Sequence, residues 1–177
     1  FAFAALFDED KPVKFADVTY SFYPVYCDLW GLAYRTVALR SDFTLDRRGY
    51  RDLGGAVIAN PNAPTGIYED VSEFIGKDFP VIIDEAYIDF SGAESMAKRA
   101  ALSKNAVAVK TFSKSYSLAG LRCGYAVANP EITEGIVRVK NSFNSYSVNA
   151  LTQAAALAAV CDEEHHRETV EKVIATR

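Results

Sequence analysis

The sequence predicts an α/β fold built on a mostly parallel sheet. Two observations carry that expectation. Short apolar runs recur along the chain, and several are apolar at consecutive positions, as strands covered from two sides are. Segments of helical character separate them, which is the spacing of crossover connections. No internal repeat, low-complexity stretch or linker interrupts the alternation, so one domain accounts for the 177 residues.

The elements follow in chain order. Residues 1–7 are too short and too uncharged for a signal peptide, and they read as the end of a helix. Residues 11–16 are the first strand, and 23–30 a short helix that Gly31 ends. Residues 34–39 and 55–59 are the second and third strands; the third runs into the turn-rich Asn60-Pro-Asn-Ala-Pro-Thr-Gly66. Residues 70–77 are expected to be helical with Asp70 as N-cap. Residues 80–83 are the fourth strand, followed at once by Asp84 and Glu85. A helix over 94–104, strands over 106–111 and 123–128, and helices over 130–140 and 147–176 complete the chain, with 141–146 as a loop.

Composition excludes several functions. The formal charge is 19 − 23 = −4, and a mildly acidic chain lacks the basic face that nucleic acid requires. No apolar run approaches the roughly 20 residues that span a bilayer, so no membrane partner is expected. Cys27, Cys123 and Cys161 are an odd, widely spaced set that fits neither a disulfide framework nor zinc spacing. They read as reduced thiols in or near the core of a cytoplasmic protein. Cys161 and His165 share a helical face with no further ligand nearby, so no metal site is expected there.

In an open α/β sheet, ligands bind beyond the carboxyl ends of the strands. Asn60 to Gly66 follow the third strand, Asp84-Glu85-Ala86-Tyr87 the fourth, and Phe112-Ser113-Lys114 with Ser115 to Arg122 the fifth. That rim has neither Gly-x-Gly-x-x-Gly after the first strand nor Gly-x-x-x-x-Gly-Lys-Ser/Thr, which disfavours dinucleotides and nucleotide triphosphates. Neither histidine is near a strand end in sequence, which disfavours a Ser-His-Asp triad. A lysine amine can form an imine with an aldehyde and later move protons. Were that aldehyde pyridoxal phosphate, a carboxylate would keep its ring nitrogen protonated, a phenol would tune the imine, and a serine and an arginine would hold the phosphate.

Three segments carry a resemblance. Lys110-Thr-Phe-Ser-Lys-Ser-Tyr-Ser-Leu-Ala-Gly-Leu-Arg-Cys-Gly-Tyr125 resembles the lysine segment of the class I/II pyridoxal-phosphate aminotransferases. Ile83-Asp-Glu-Ala-Tyr-Ile-Asp-Phe90 is similar to their aspartate–tyrosine segment, and Asn62-Ala-Pro-Thr-Gly66 to their Asn-Pro-Thr-Gly turn. All three occur in the family's order, each after an expected strand. Within the family the wording is most similar to the histidinol-phosphate branch. The resemblance implies a three-layer α/β/α PLP-transferase fold of type I, with residues 1–177 as the central part of the cofactor-binding large domain. An N-terminal segment and a C-terminal small domain then lie outside these residues.

The family's roles pass to matching positions. Lys114 resembles the Schiff-base lysine and general acid/base, Asp84 the partner of the pyridine nitrogen, and Tyr87 the phenol at the ring hydroxyl. Ser113 and Arg122 resemble phosphate ligands, and Tyr20 the aromatic that stacks on the cofactor. One position departs: the Asn that precedes Pro-Thr-Gly is Ala63 here, with Asn62 one residue earlier. The implied activity is amino transfer between L-histidinol phosphate and 2-oxoglutarate by a pyridoxal 5'-phosphate enzyme, a homodimer in histidine biosynthesis. Two alternatives stay open: another enzyme of this scaffold, such as an aromatic-amino-acid aminotransferase, or a catalytically silent core. Residues 1–177 alone are expected to turn over weakly or not at all.

Overall fold

A computed structural model describes residues 1–8 and 10–177. Six strands form one sheet: β1 (Val13–Ala16), β2 (Tyr34–Val37), β3 (Gly55–Ala59), β4 (Val81–Asp84), β5 (Ala106–Thr111) and β6 (Gly124–Val127). Their order is β2-β1-β3-β4-β5-β6. The first five are parallel and β6 is antiparallel to β5, as a mostly parallel sheet requires. The chain goes from β1 outward to β2, then returns past β1 to β3, so the strand order reverses beside β1. A crevice opens at such a reversal, at the carboxyl ends of the strands.

Side-chain alternation divides the core into two layers. On one face Ile58 and Ile83 pack with Leu45, Tyr50, Phe74 and Met96. On the other, Val57, Ile82 and Val107 pack with Phe3, Phe7, Phe15, Tyr23 and Cys27. Those last residues arrive largely on α1 (Ala2–Leu6) and α2 (Phe22–Leu29). Gly31, at φ +68°, ends α2 as expected, since that conformation suits a residue with no Cβ. The remaining helices are α3 (Ala97–Ala101), α4 (Pro130–Phe143), α5 (Ala150–Cys161) and α6 (Glu163–Thr176).

Four expectations need correction. Residues 70–77 hold only a single 3₁₀ turn, Ser72–Phe74. Val71, not Asp70, occupies the N-cap; Asp70 accepts the Ser72 N–H at 2.9 Å from one residue further back, and beyond the turn Ile75 is extended and Gly76 lies at φ +84°. The expected 94–104 helix is shorter because buried Glu85 takes the Met96 N–H at 2.6 Å, fixing where α3 starts. Residues 141–143 extend α4 rather than joining the loop. Asp162 separates α5 from α6 by accepting the His165 N–H, so Cys161 and His165 do not share one helix. Both are exposed, while Cys27 is fully buried and its thiol is pushed up to about 11, first by burial and then by Asp28.

Candidate active site

Four strand ends feed one cavity of about 260 Å³. The segment after β1 brings Tyr20, the turn after β3 brings Pro61 and Ala63, and β4 ends on Asp84 with Tyr87 beyond it. The segment after β5 brings Ser113, Lys114 and Arg122. All six residues singled out in the sequence therefore line the same hollow. A larger, mostly apolar hollow of about 540 Å³ adjoins it and shares Tyr20, Asp84, Val109 and Lys110.

Asp84 is the electrostatic centre. Its position on β4 directs it to the Tyr23 face of the sheet. The Tyr23 hydroxyl donates to Oδ2 at 2.8 Å and the Ala86 N–H to Oδ1 at 3.1 Å. Burial pushes the Asp84 carboxyl above its ordinary value; the Tyr23 hydroxyl, the Ala86 N–H and the Lys114 ammonium pull the other way. Burial, followed by the charge of Asp84, holds the Tyr23 phenol well above its ordinary range. Asp84 makes no ion pair among the described residues. A half-buried carboxylate with two hydrogen bonds and no bonded cation keeps acceptor capacity for a further N–H donor.

Lys114 Nζ sits 5.0 Å from the centroid of the Tyr87 ring, within reach of a cation–π attraction. Its segment is held at both ends. Phe112 N–H donates to Cys123 O at 3.1 Å, Ser113 N–H to Thr111 Oγ1 at 3.1 Å, and Ser117 N–H to Lys114 O at 2.9 Å. Gly124 lets β6 approach β5, for a Cβ there would lie 2.7 Å from the Lys110 carbonyl oxygen. Arg122 adopts a left-handed conformation, φ 52° and ψ 43°, and its Nη1 donates to Ala119 O at 3.0 Å. Tyr20 is 44% exposed, so its ring is open to a ligand; it stacks on Phe22 and meets Tyr23 edge-on.

Asn62 does not take the place vacated at Ala63. It is buried, and its amide is spent on the Val18 carbonyl at 2.9 Å, the Thr65 hydroxyl at 3.2 Å and the Thr19 hydroxyl at 2.7 Å. From this turn it is Pro61 and Ala63 that line the cavity, and neither side chain carries a hydrogen-bond donor.

Sequence reading missed two residues. Tyr23 falls at the start of the expected 23–30 helix, and its nearness in sequence to Tyr20 is the only local signal of a site role. His166 is far from every strand in sequence, yet its ring stacks on Tyr116 at 4.1 Å, and its Nε2 lies 3.7 Å from Asp89 Oδ2. A histidine does therefore approach the lysine segment, contrary to expectation. It forms no triad, because the Ser115 hydroxyl donates to Asp89 and not to the imidazole.

Comparisons with known proteins give the family and the fold. The family model for aminotransferase class I and II matches residues 1–177. Histidinol-phosphate aminotransferase 2 of Gluconobacter oxydans is 48% identical over 182 residues, covering 99% of this chain and 51% of the relative. The chain thus spans about half the length of the curated relatives it matches. Two solved structures share the fold. Histidinol-phosphate aminotransferase from Sinorhizobium meliloti, in complex with pyridoxal 5'-phosphate, superposes with a TM-score of 0.81 at 23% identity, covering 94% of this chain and 48% of that one. A Thermus thermophilus aspartate aminotransferase double mutant gives 0.84 at 23% identity, covering 98% and 49%.

Proposed function

This chain belongs to the aminotransferase class I and II family, and from that premise we propose that it forms the cofactor face of a pyridoxal-phosphate aminotransferase. The substrates we propose are L-histidinol phosphate and 2-oxoglutarate, in a cytoplasmic homodimer of histidine biosynthesis. Residues 1–177 are then the central part of the large domain, and the activity is that of the whole gene product. One observation carries the reading: Lys114, Asp84, Tyr87, Ser113, Arg122 and Tyr20, drawn from the ends of β4 and β5 and the segment after β1, line a single cavity.

The donor set fits the cofactor. Asp84 would accept the ring N–H at acceptor capacity its half-buried carboxylate still has free. Ser113 and Arg122 would hold the phosphate, the Tyr87 hydroxyl would meet the ring hydroxyl, and Tyr20 would cover the ring. Pyridoxal phosphate supplies, when bound, an electron sink conjugated to the substrate's α-carbon. Lys114 Nζ would tether the cofactor, yield it to the incoming amine, and then carry the proton off the α-carbon and back to the cofactor carbon. Negative charge on Asp84 would hold the ring proton in place throughout. With Ala63 in the turn, Tyr87 is the main group left to act on the ring hydroxyl.

The test uses the natural full-length gene product. Pyridoxal 5'-phosphate should give a visible absorbance band that Lys114→Ala abolishes, and histidinol phosphate should be turned over in preference to phenylalanine. Preference for phenylalanine would replace the proposed substrate by an aromatic amino acid. No band in the unaltered protein would leave a silent core.

A further inference from the structure

Beside the lysine segment, joined to the cavity wall by Lys110, lies a second polar cluster that the proposed chemistry does not use. Strand alternation sends Lys110 to the sheet face of Ala106 and Ala108, opposite Val109. There its Nζ pairs with Asp89 Oδ1 at 3.2 Å. Asp89 comes from the 3₁₀ turn Ile88–Phe90, just past Tyr87. Its Oδ2 accepts the Ser115 hydroxyl at 2.5 Å, and Ser115 is only 2% exposed. From α6, His166 Nε2 lies 3.7 Å from the same oxygen and is buried without a hydrogen-bond partner. Asp89 thus holds the residue next to Lys114 and, through Lys110, the strand that leads into the segment.

We propose that Asp89 is a positioning residue for Lys114. It acts through Ser115 and Lys110, and it fixes the backbone from which the Lys114 amine reaches the Tyr87 face. This rests on the reading of Lys114 as the reacting amine. Three features support it. Hydrogen bonds to a carboxylate belong to the strong class and fix geometry. The buried Ser115 hydroxyl gives its proton to Asp89 and to no other group among the described residues. Burial opposes the charge on Lys110, yet Asp89, Tyr125 and Glu85 outweigh it and hold the ammonium form, so the pair persists at working pH. A displacement of about 1 Å at a reacting group can cost about a hundredfold in rate, so a clamp this close to the amine bears on turnover without touching substrate.

The experiment compares Asp89→Asn, Asp89→Glu and Ser115→Ala in the natural full-length gene product, with pyridoxal 5'-phosphate as the probe. Asp89→Asn should lower kcat by about 10- to 100-fold, with KM for the amino donor within about threefold, the split expected for lost transition-state alignment. Asp89→Glu should recover part of the loss, and Ser115→Ala should show a smaller loss of the same kind. Apart from turnover, cofactor capture by the apoprotein should slow in Asp89→Asn. Amide exchange at Ser117 and Leu118 should rise while exchange in β4 stays unchanged. Unchanged kcat, capture and exchange in both Asp89→Asn and Ser115→Ala would overturn the assignment. So would a loss that tracks a lowered melting temperature, with exchange rising across the whole sheet. If the unaltered protein captures no cofactor, or Lys114→Ala captures it equally well, the site reading itself falls and this assignment with it.

Discussion

Asp84 and Glu85 are adjacent carboxylates with opposite surroundings. Asp84 faces the cavity, takes the Tyr23 hydroxyl on one oxygen, and lies within the field of Lys114. Glu85, 1% exposed, turns to the other sheet face, where it binds the Ser95 hydroxyl and takes the Met96 N–H at 2.6 Å. The period of two along a strand separates the two roles. The first carboxylate is left with capacity for a ligand, and the second is consumed in fixing the start of α3. Motif spelling treats the pair as one signal, whereas pleat geometry assigns one to chemistry and one to the scaffold.

That contrast can be broken by substitution. The largest effect belongs to Lys114→Ala, which should cut transamination by about 10³- to 10⁴-fold, the scale of a lost general acid/base, and abolish the visible cofactor band. Asp84→Asn should follow, with a loss of about 10²- to 10³-fold, the size seen when one preorganised electrostatic partner is removed. Its stability should move the other way. Burial raises the folded-state pKa of Asp84 above its unfolded value. The stabilising contribution is therefore complete below the unfolded pKa and is lost as pH rises through the folded one. At neutral pH the apoprotein with Asp84→Asn should melt no lower than the parent, and thermal melts across pH would show the gap closing in acid.

Glu85→Ala should behave oppositely. It strands the Met96 N–H and the Ser95 hydroxyl, at a cost of about 1–3 kcal/mol per unsatisfied group. Denaturant unfolding would register this while the folded fraction keeps its kcat. If Asp84→Asn unfolds the protein and Glu85→Ala spares it, the division of labour is wrong. The smallest effect is Tyr23→Phe. Removing the hydroxyl that stabilises the carboxylate should raise the Asp84 pKa further, moving the acid limb of the pH–rate profile to higher pH with a few-fold change at its plateau.

Much of this was legible in the sequence because the central strands β3, β4 and β5 open as short apolar runs that stop where polar, reactive side chains begin. Val81 to Ile83 ending at Asp84, and Ala106 to Val109 leading to Lys114, announced both a strand and its functional end. Local competition was harder to read. Asp70 accepts the Ser72 N–H as its chemistry suggests, but local pattern does not show that the turn ends at Phe74, with Ile75 already extended. Likewise, Asn62 is a capable donor whose amide is taken by Val18 and Thr65, residues brought near only by folding. Tyr23 and His166 gain their importance from contacts with Asp84 and Asp89 across 61 and 77 residues, which local periodicity does not encode.

The antiparallel turn of β6 has one more consequence. Thr111 and Gly124 are register partners, so the stretch carrying Lys114 is a closed loop pinned at its own base. An amine mounted there travels by rotating its methylene arm rather than by swinging its backbone. Its working range is a small sphere about one fixed α-carbon, and any molecule it serves must be delivered into that sphere.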